Sequence, residues 1–188
     1  MLTLNQHEIF PTPIWHLENT PQWLVDFLYK EAYRLKENCQ SDSDNRSSKG
    51  GYQSPHFIWE EFAIEPKKYF NELLGSIPFS QTTKVQLEGE KSPYWWYNIN
   101  AKGDWNLPHV HPITDLALVL YLTDTDMELT FMNPYHHTRL NLDGHKQYNA
   151  PKLNKGDIII FPADLPHFVM PNQNDIDRIS LSMNLQLC

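Results

Sequence analysis

Asn154-Lys-Gly-Asp-Ile-Ile-Ile-Phe-Pro162, running on through Ala163-Asp-Leu-Pro-His167, is the stretch on which the fold turns. Asn, Lys, Gly and Asp make a turn, and Ile158 to Phe161 is a continuous apolar run bounded by turn residues at both ends. Such a run reads as a strand buried on both faces. The next turn delivers His167. Upstream, Leu107-Pro-His-Val-His-Pro-Ile-Thr-Asp115 holds two histidines one residue apart. Side chains alternate along an extended chain, so His109 and His111 share a side if the segment is a strand. Pro108 and Pro112 stiffen that segment, and the intervening strands can fold His167 back onto the pair. Three imidazoles on one face, with other coordination positions open, suit an oxygen-activating non-haem iron centre.

The second half of the chain supports this architecture. Short β-prone runs separated by turn residues occur at Val85–Leu87, Tyr94–Asn100, Leu116–Thr123, Glu128–Met132, Thr138–Leu142, Asp157–Phe161, Phe168–Met170 and Arg178–Leu187. Strands at this regular spacing build a sandwich or barrel. The first half is expected to be mainly helical. Thr20-Pro21 reads as an N-cap followed by proline at the first helical position. Leu24, Phe27, Leu28, Ala32 and Leu35 then recur at helical spacing to about Asn38. A second helix is predicted from Glu65-Pro66, with Tyr69, Phe70, Leu73 and Leu74 as its buried stripe and Gly75 at its end.

Glu8–Trp15, with two prolines, reads as an edge strand, and Gln40–Ser48, which has no apolar residue, as a mobile loop. Gly50–His56 is a candidate lid. The fold class is therefore mainly β (α+β): a double-stranded β-helix of jelly-roll or cupin-like type with two or three supporting helices. It is expected as one domain over 1–188, with a helical support region at 1–80 and the jelly-roll core at 81–188.

Composition narrows the partners. The chain of 188 residues has a formal net charge of −8 and no run of Lys or Arg, which disfavours a nucleic-acid backbone as partner. Two cysteines, Cys39 and Cys188, are too few for a disulfide framework and fit a reducing compartment. With no signal-peptide pattern and no apolar run of membrane-spanning length, a cytoplasmic location is expected, in the host cytoplasm if the source is a phage. A small-molecule or peptidyl substrate suits such a chain, and a homodimer is left open. The six Trp and nine Tyr point to an aromatic-rich interior or pocket, with Trp95, Trp96, Tyr97 and Tyr121 as wall candidates. His7, His16, His56, His136, His137 and His145 are read as serving roles other than metal binding.

Eleven residues past His167, Arg178 opens an alternating strand, Arg-Ile-Ser-Leu-Ser-Met-Asn184, with Arg178, Ser180 and Ser182 on one face. A guanidinium rooted in a barrel wall forks onto a carboxylate, and a hydroxyl beside it adds a donor. The competing reading is a surface ion pair with Asp175 or Asp177.

Taken together, these motifs resemble the 2-oxoglutarate- and Fe(II)-dependent oxygenases. The chain is most similar to a bacterial and bacteriophage group marked by His-x-His-Pro, a distal Gly-Asp-x-x-x-Phe-Pro-x-x-x-Pro-His, and Arg-x-Ser. The likeness extends to Phe10–Trp15, Gly50–Ser54 and Asn98–Asp104. It implies His109 and His167 as iron ligands and puts His111 where most of the superfamily has Asp or Glu. It further implies Arg178 with Ser180 as the clamp on the far carboxylate of 2-oxoglutarate, and Asn100 as a further cosubstrate contact. Asp115, four residues past His111, is the alternative third ligand or a partner for an imidazole N–H.

Ala117–Tyr121 and Asn133–Tyr135 depart from the group's usual Ser-Gly-Val-Tyr-Tyr and Asp-Pro-Arg. The implied activity is a dioxygenase using Fe(II), 2-oxoglutarate and O₂. It would hydroxylate a C–H bond of an amino acid, peptidyl residue or small metabolite and yield succinate and CO₂. The rivals are a three-histidine cupin-type dioxygenase without 2-oxoglutarate and a non-catalytic jelly-roll binding module.

Overall fold

The structure, a computed structural model, describes residues 12–42, 46–77, 83–124, 129–133 and 147–188. The predicted strand Thr138–Leu142, most of Asn133–Tyr135, the start of the Glu8–Trp15 strand, and His7, His136, His137 and His145 lie outside the described residues.

Two antiparallel sheets face one another in a jelly roll. The first joins β1 (Trp15–Leu17), β3 (Tyr52–Gln53), β4 (Phe57–Ile58), β5 (Tyr94–Asn100), β7 (Leu116–Tyr121), β10 (Ile158–Pro162) and β12 (Arg178–Leu185). Its order is β1-β10-β7-β12-β5-β3, with β4 also on β5. The second has the order β2 (Ser48–Lys49), β6 (Trp105–His109), β11 (His167–Val169), β8 (Leu129–Met132) and β9 (Gln147–Asn149). Against the first sheet packs α1 (Gln22–Asn38), and α2 (Ile64–Ser76) contributes to the same core.

Period-two alternation sorts the first sheet's residues between two interiors. On the helix side lie Trp95, Tyr97 and Ile99 of β5, Leu116, Leu118 and Leu120 of β7, Ile158 and Ile160 of β10, and Ile179, Leu181, Met183 and Leu185 of β12. They bury against Leu24, Val25, Leu28, Ala32 and Leu35 of α1 and Phe70 and Leu74 of α2. Each such leucine, fully removed from water, contributes on the order of 1.5–3 kcal/mol. The opposite face looks between the sheets. There Ala117, Tyr121, Ile159 and Phe161 meet Leu129, Phe131, Leu153 and Leu165 in a second apolar cluster. The remainder of that interior is an open cavity lined by both polar and apolar side chains.

Several details differ from the sequence reading. The edge strand starts at Trp15, after the prolines have passed, because proline cannot donate to the ladder. Pro21 is the residue before α1 and Gln22 its first helical residue; Thr20 makes no side-chain cap. Val25 is buried and Phe27 is 41% exposed, so the helix is rotated relative to the expected stripe. Val85–Leu87 is reduced to a single bridge between Val85 and Leu187. Residues 48–58, which take in the end of the expected loop and the whole candidate lid, supply three short strands, so the first 80 residues add to both sheets. Among the described residues no helix is long and apolar enough to cross a membrane.

Gly50–His56, the candidate lid, is instead tied into the first sheet through β3. Tyr52, Gln53 and Ser54 are buried, and β3 pairs with β5 at Tyr52–Ile99 and Gln53–Asn98. Gly51 is required by close approach: a Cβ there would come within 2.3 Å of Asn100 Oδ1 and 2.9 Å of the Ile99 carbonyl oxygen. Backbone cannot yield as a flexible side chain can. Gly51→Ala is expected to cost about 1–3 kcal/mol, visible as a thermal midpoint several degrees lower than that of the parent protein.

Candidate metal centre and active-site cavity

Strand register creates the centre. β11 runs antiparallel to β6 with His167 directly opposite His109, so their rings sit 4.3 Å apart between centroids. His111 lies just past the end of β6, where its backbone N–H donates to the Ala163 carbonyl at 2.9 Å. That bond ties the loop to the turn preceding His167 and brings the third ring over the other two. One nitrogen from each of His109, His111 and His167 lies within 4.8 Å of the others.

Each ring is oriented the same way. Nδ1–H of His109 donates to the Leu107 carbonyl at 2.7 Å, that of His167 to the Leu165 carbonyl at 2.9 Å, and that of His111 to Asn184 Oδ1 at 2.7 Å. A carbonyl only accepts, so the proton stays on Nδ1 and the Nε2 lone pair is free. The Nε2 atoms of His111 and His167 face each other at 3.2 Å. Two lone pairs at that distance repel, whereas two ligands about 2.1 Å from one cation at right angles stand roughly 3 Å apart. The donor set therefore fits a divalent ion.

Burial lowers the pKa of all three histidines, and their mutual repulsion adds to the effect for His111, held to about 4, and for His167, held well below the usual range. His56, half-buried and stacked on Trp96, is likewise lowered to about 4, chiefly by desolvation. A histidine whose folded pKa lies below its unfolded value of about 6.5 binds more protons when unfolded. Stability of the metal-free protein is thus fully present above about pH 6.5 and falls as the pH drops toward 4. The thermal midpoint between pH 7.5 and 4.5 should show this, with a shallower slope in His56→Gln.

The cluster opens into a cavity of about 750 Å³ between the sheets. Its floor is the inner face of β5 and β12: cross-strand pairs Arg178–Asn100, Ser180–Asn98, Ser182–Trp96 and Asn184–Tyr94 form a polar ladder. Arg178 is buried, and burial lowers its pKa without discharging a guanidinium. Nη1 donates to the Met170 carbonyl at 2.8 Å and Nη2 to that of Asp104 at 3.4 Å. The surface-pair reading does not hold. Asp175 pairs with Lys102, Asp177 accepts from Tyr33, and no carboxylate of the described residues pairs with Arg178. The guanidinium faces the cavity with donors to spare.

Of the predicted site residues, His109, His111, His167, Arg178, Ser180 and Asn100 all line this one cavity. Asn100 gives its amide N–H to Asn106 and leaves Oδ1 buried without a partner. Asp115 stands apart: it is exposed, and its carboxylate accepts from the Leu187 N–H at 2.8 Å. Of the aromatic wall candidates, Trp96 and Tyr121 line the cavity, whereas Trp95 and Tyr97 point into the helix-side core. His16 lies 3.2 Å from Asp157, away from the triad. Ser182, already on the Arg178 face, lines the cavity too, whereas Asn184, Asn98, Tyr94 and His56 were missed as cavity residues. Extending the period-two face of Arg178, Ser180 and Ser182 by one step reaches Asn184; His56 has no comparable signal.

Residues 94–184 match the family model described as "Putative 2OG-Fe(II) oxygenase". No curated protein matches the chain. Among solved structures, a Pseudomonas putida prolyl-4-hydroxylase superposes with a TM-score of 0.66 at 15% identity, over 93% of this chain and 92% of that one. A Trichoplax adhaerens prolyl hydroxylase, in complex with a hypoxia inducible factor peptide fragment, gives 0.62 at 10%, over 92% and 83%. HygX from Streptomyces hygroscopicus, with nickel and 2-oxoglutarate bound, gives 0.59 at 10%, over 93% and 83%. At these identities the superpositions establish the shared jelly-roll fold. The segment 94–184, which carries the three histidines and Arg178, is similar to the 2-oxoglutarate- and Fe(II)-dependent oxygenases.

Proposed function

We propose that the protein, read as one domain over residues 1–188, is a dioxygenase that hydroxylates a C–H bond of an amino acid, peptidyl residue or small metabolite. His109, His111 and His167 would hold Fe(II), and Arg178 with Ser180 would hold the far carboxylate of 2-oxoglutarate, Asn100 lying beside them. The observation that carries this reading is the convergence of one ring nitrogen from each of three histidines, whose rings are each fixed by an Nδ1–H donated to oxygen.

With O₂, the iron and 2-oxoglutarate supply the oxidising chemistry, which releases succinate and CO₂ and delivers one oxygen atom to the substrate. The chain's part is placement. Leu107, Leu165 and Asn184 keep the ring protons on Nδ1. Carbonyls of Met170 and Asp104 hold the guanidinium in one pose, so little side-chain entropy is lost when a carboxylate arrives. Phe131 and Phe161 flank His167 and exclude water from that side.

A three-histidine dioxygenase without 2-oxoglutarate is the second reading, favoured by the absence of a carboxylate from the ligand cluster among the described residues. Isothermal titration of the Mn(II)-loaded protein with 2-oxoglutarate separates the two. Saturable one-to-one binding, together with succinate formation by the Fe(II) protein, is expected. No binding favours the second reading, and a protein that takes up no metal would be a silent binding module.

A further inference from the structure

The cavity's charge contradicts that of the chain. The chain carries 23 Asp and Glu against 15 Lys and Arg, yet among the described residues no Asp or Glu lines the cavity, whereas Arg46, Arg178 and four histidines do. The centre is equally bare of negative charge. All three candidate ligands are imidazoles, and all three Nδ1 partners are neutral: two backbone carbonyls and the Asn184 amide.

A divalent cation on this set keeps both charges, and Arg178 adds a third; the two carboxylates of 2-oxoglutarate return two. One positive charge is left over in a partly desolvated space, where an unmatched charge is costly and attracts a counter-ion. Arg46 stands ready beside it. β2 pairs with β6 at Ser48–Asn106, and the Leu107 N–H donates to the Ser47 carbonyl. Continuing that antiparallel register sets Arg46 opposite Pro108, next to His109. Arg178 is tied to Asp104, just before the start of β6, so the two guanidiniums stand at opposite ends of that strand, with Arg46 at the end that carries His109. Among the described residues Arg46 is bound through Nε, to Asp42 at 2.9 Å. A half-exposed pair of that kind holds its arginine weakly.

We infer that the prime substrate is a small carboxylic acid, its carboxylate received at Arg46, at the end of β6 opposite to that which holds Arg178. The inference rests on the oxygenase reading above. Asn98 Oδ1, buried on the same floor without a partner, would accept an N–H from that substrate. This makes N-acylated amino acids the natural probes.

The full chain, loaded with cobalt(II) and 2-oxoglutarate, is titrated with N-acetyl-L-amino acids and with their primary carboxamides, read by calorimetry and by the cobalt absorption spectrum. Each pair differs by one charge. At least one acid is expected to bind tenfold or more tighter than its amide, with a change in the cobalt spectrum. Arg46→Gln should bring the pair to within about twofold, and Arg46→Lys should retain the preference. Amides binding as well as acids, no acid binding at all, or a preference untouched by Arg46→Gln would each overturn the inference. If 2-oxoglutarate itself fails to bind the cobalt protein, the oxygenase reading fails. The acid-to-amide comparison is then read on the cobalt protein alone and still decides the anion site.

Discussion

His167→Ala is expected to abolish specific divalent-metal binding while leaving the fold intact. His167 is the hinge of the triad. It is the strand partner of His109, and its Nε2 faces that of His111 at 3.2 Å. Loss of an outer hydrogen-bond partner of a metal ligand typically costs 10–100-fold in affinity, so loss of the ligand itself should exceed about 100-fold. Asn184→Ala, which removes only the acceptor of His111 Nδ1–H, should fall within that 10–100-fold range.

The metal-free fold should tolerate the change, because alanine at 167 also removes one of two opposed lone pairs and one buried ring that resists protonation. Calorimetric titration with Mn(II) or Co(II), and the rise in thermal midpoint on adding either ion, read the outcome. Binding to the folded state alone stabilises by mass action, so the parent protein should show a metal-dependent rise and His167→Ala none. A rise of parental size in the mutant would move the metal away from this cluster.

How much of this was legible beforehand depends on which physical signal each residue carries. Strands with a decisive pattern were read nearly to the residue. Tyr94–Asn100 is bounded by Pro93 and a Lys-Gly turn and is found as predicted, and the apolar run at Ile158 is found one residue later than predicted at its start. The histidine cluster was legible because pattern and spacing agree: a strand ending at His109, and a turn ending at His167, are brought opposite one another by antiparallel pairing.

Pairing across the sheets was not legible. Ser48–Lys49 and Tyr52–Gln53 look like loop because two-residue strands have no period to detect, and only the edges of β6 and β5 make them strands. Nor does local sequence decide Asp115. Its spacing from His111 suits a ligand, but Ile113, at a φ of 62°, breaks the extended run and turns the carboxylate toward Leu187. Asn184 falls on the predicted face of β12, but its place beside His111 is set by contacts across the fold.

Arg178→Ala is expected to lower the affinity of the metal-loaded protein for 2-oxoglutarate by at least thirtyfold and leave metal affinity nearly unaltered. Removing one partner of a buried, hydrogen-bonded charge pair costs roughly 2–5 kcal/mol, about 30-fold to several thousandfold. Arg178 meets the condition of burial, at 4% exposure, and no carboxylate of the described residues competes for it. Arg178→Lys separates charge from geometry. An ammonium is a point charge without the planar fork, and it would have to choose between the Met170 and Asp104 carbonyls and the ligand. Its affinity should therefore fall between those of the parent and of alanine. Calorimetry with 2-oxoglutarate on the Mn(II) protein measures all three. If alanine binds as well as arginine, the clamp assignment is lost. Arg178 would then be a buttress for two carbonyls, and the all-imidazole centre would belong to chemistry without 2-oxoglutarate. If affinity falls in the expected order while the metal still binds, the arginine and the three histidines act on two ends of one molecule, with the polar ladder of β5 and β12 spanning the distance between them.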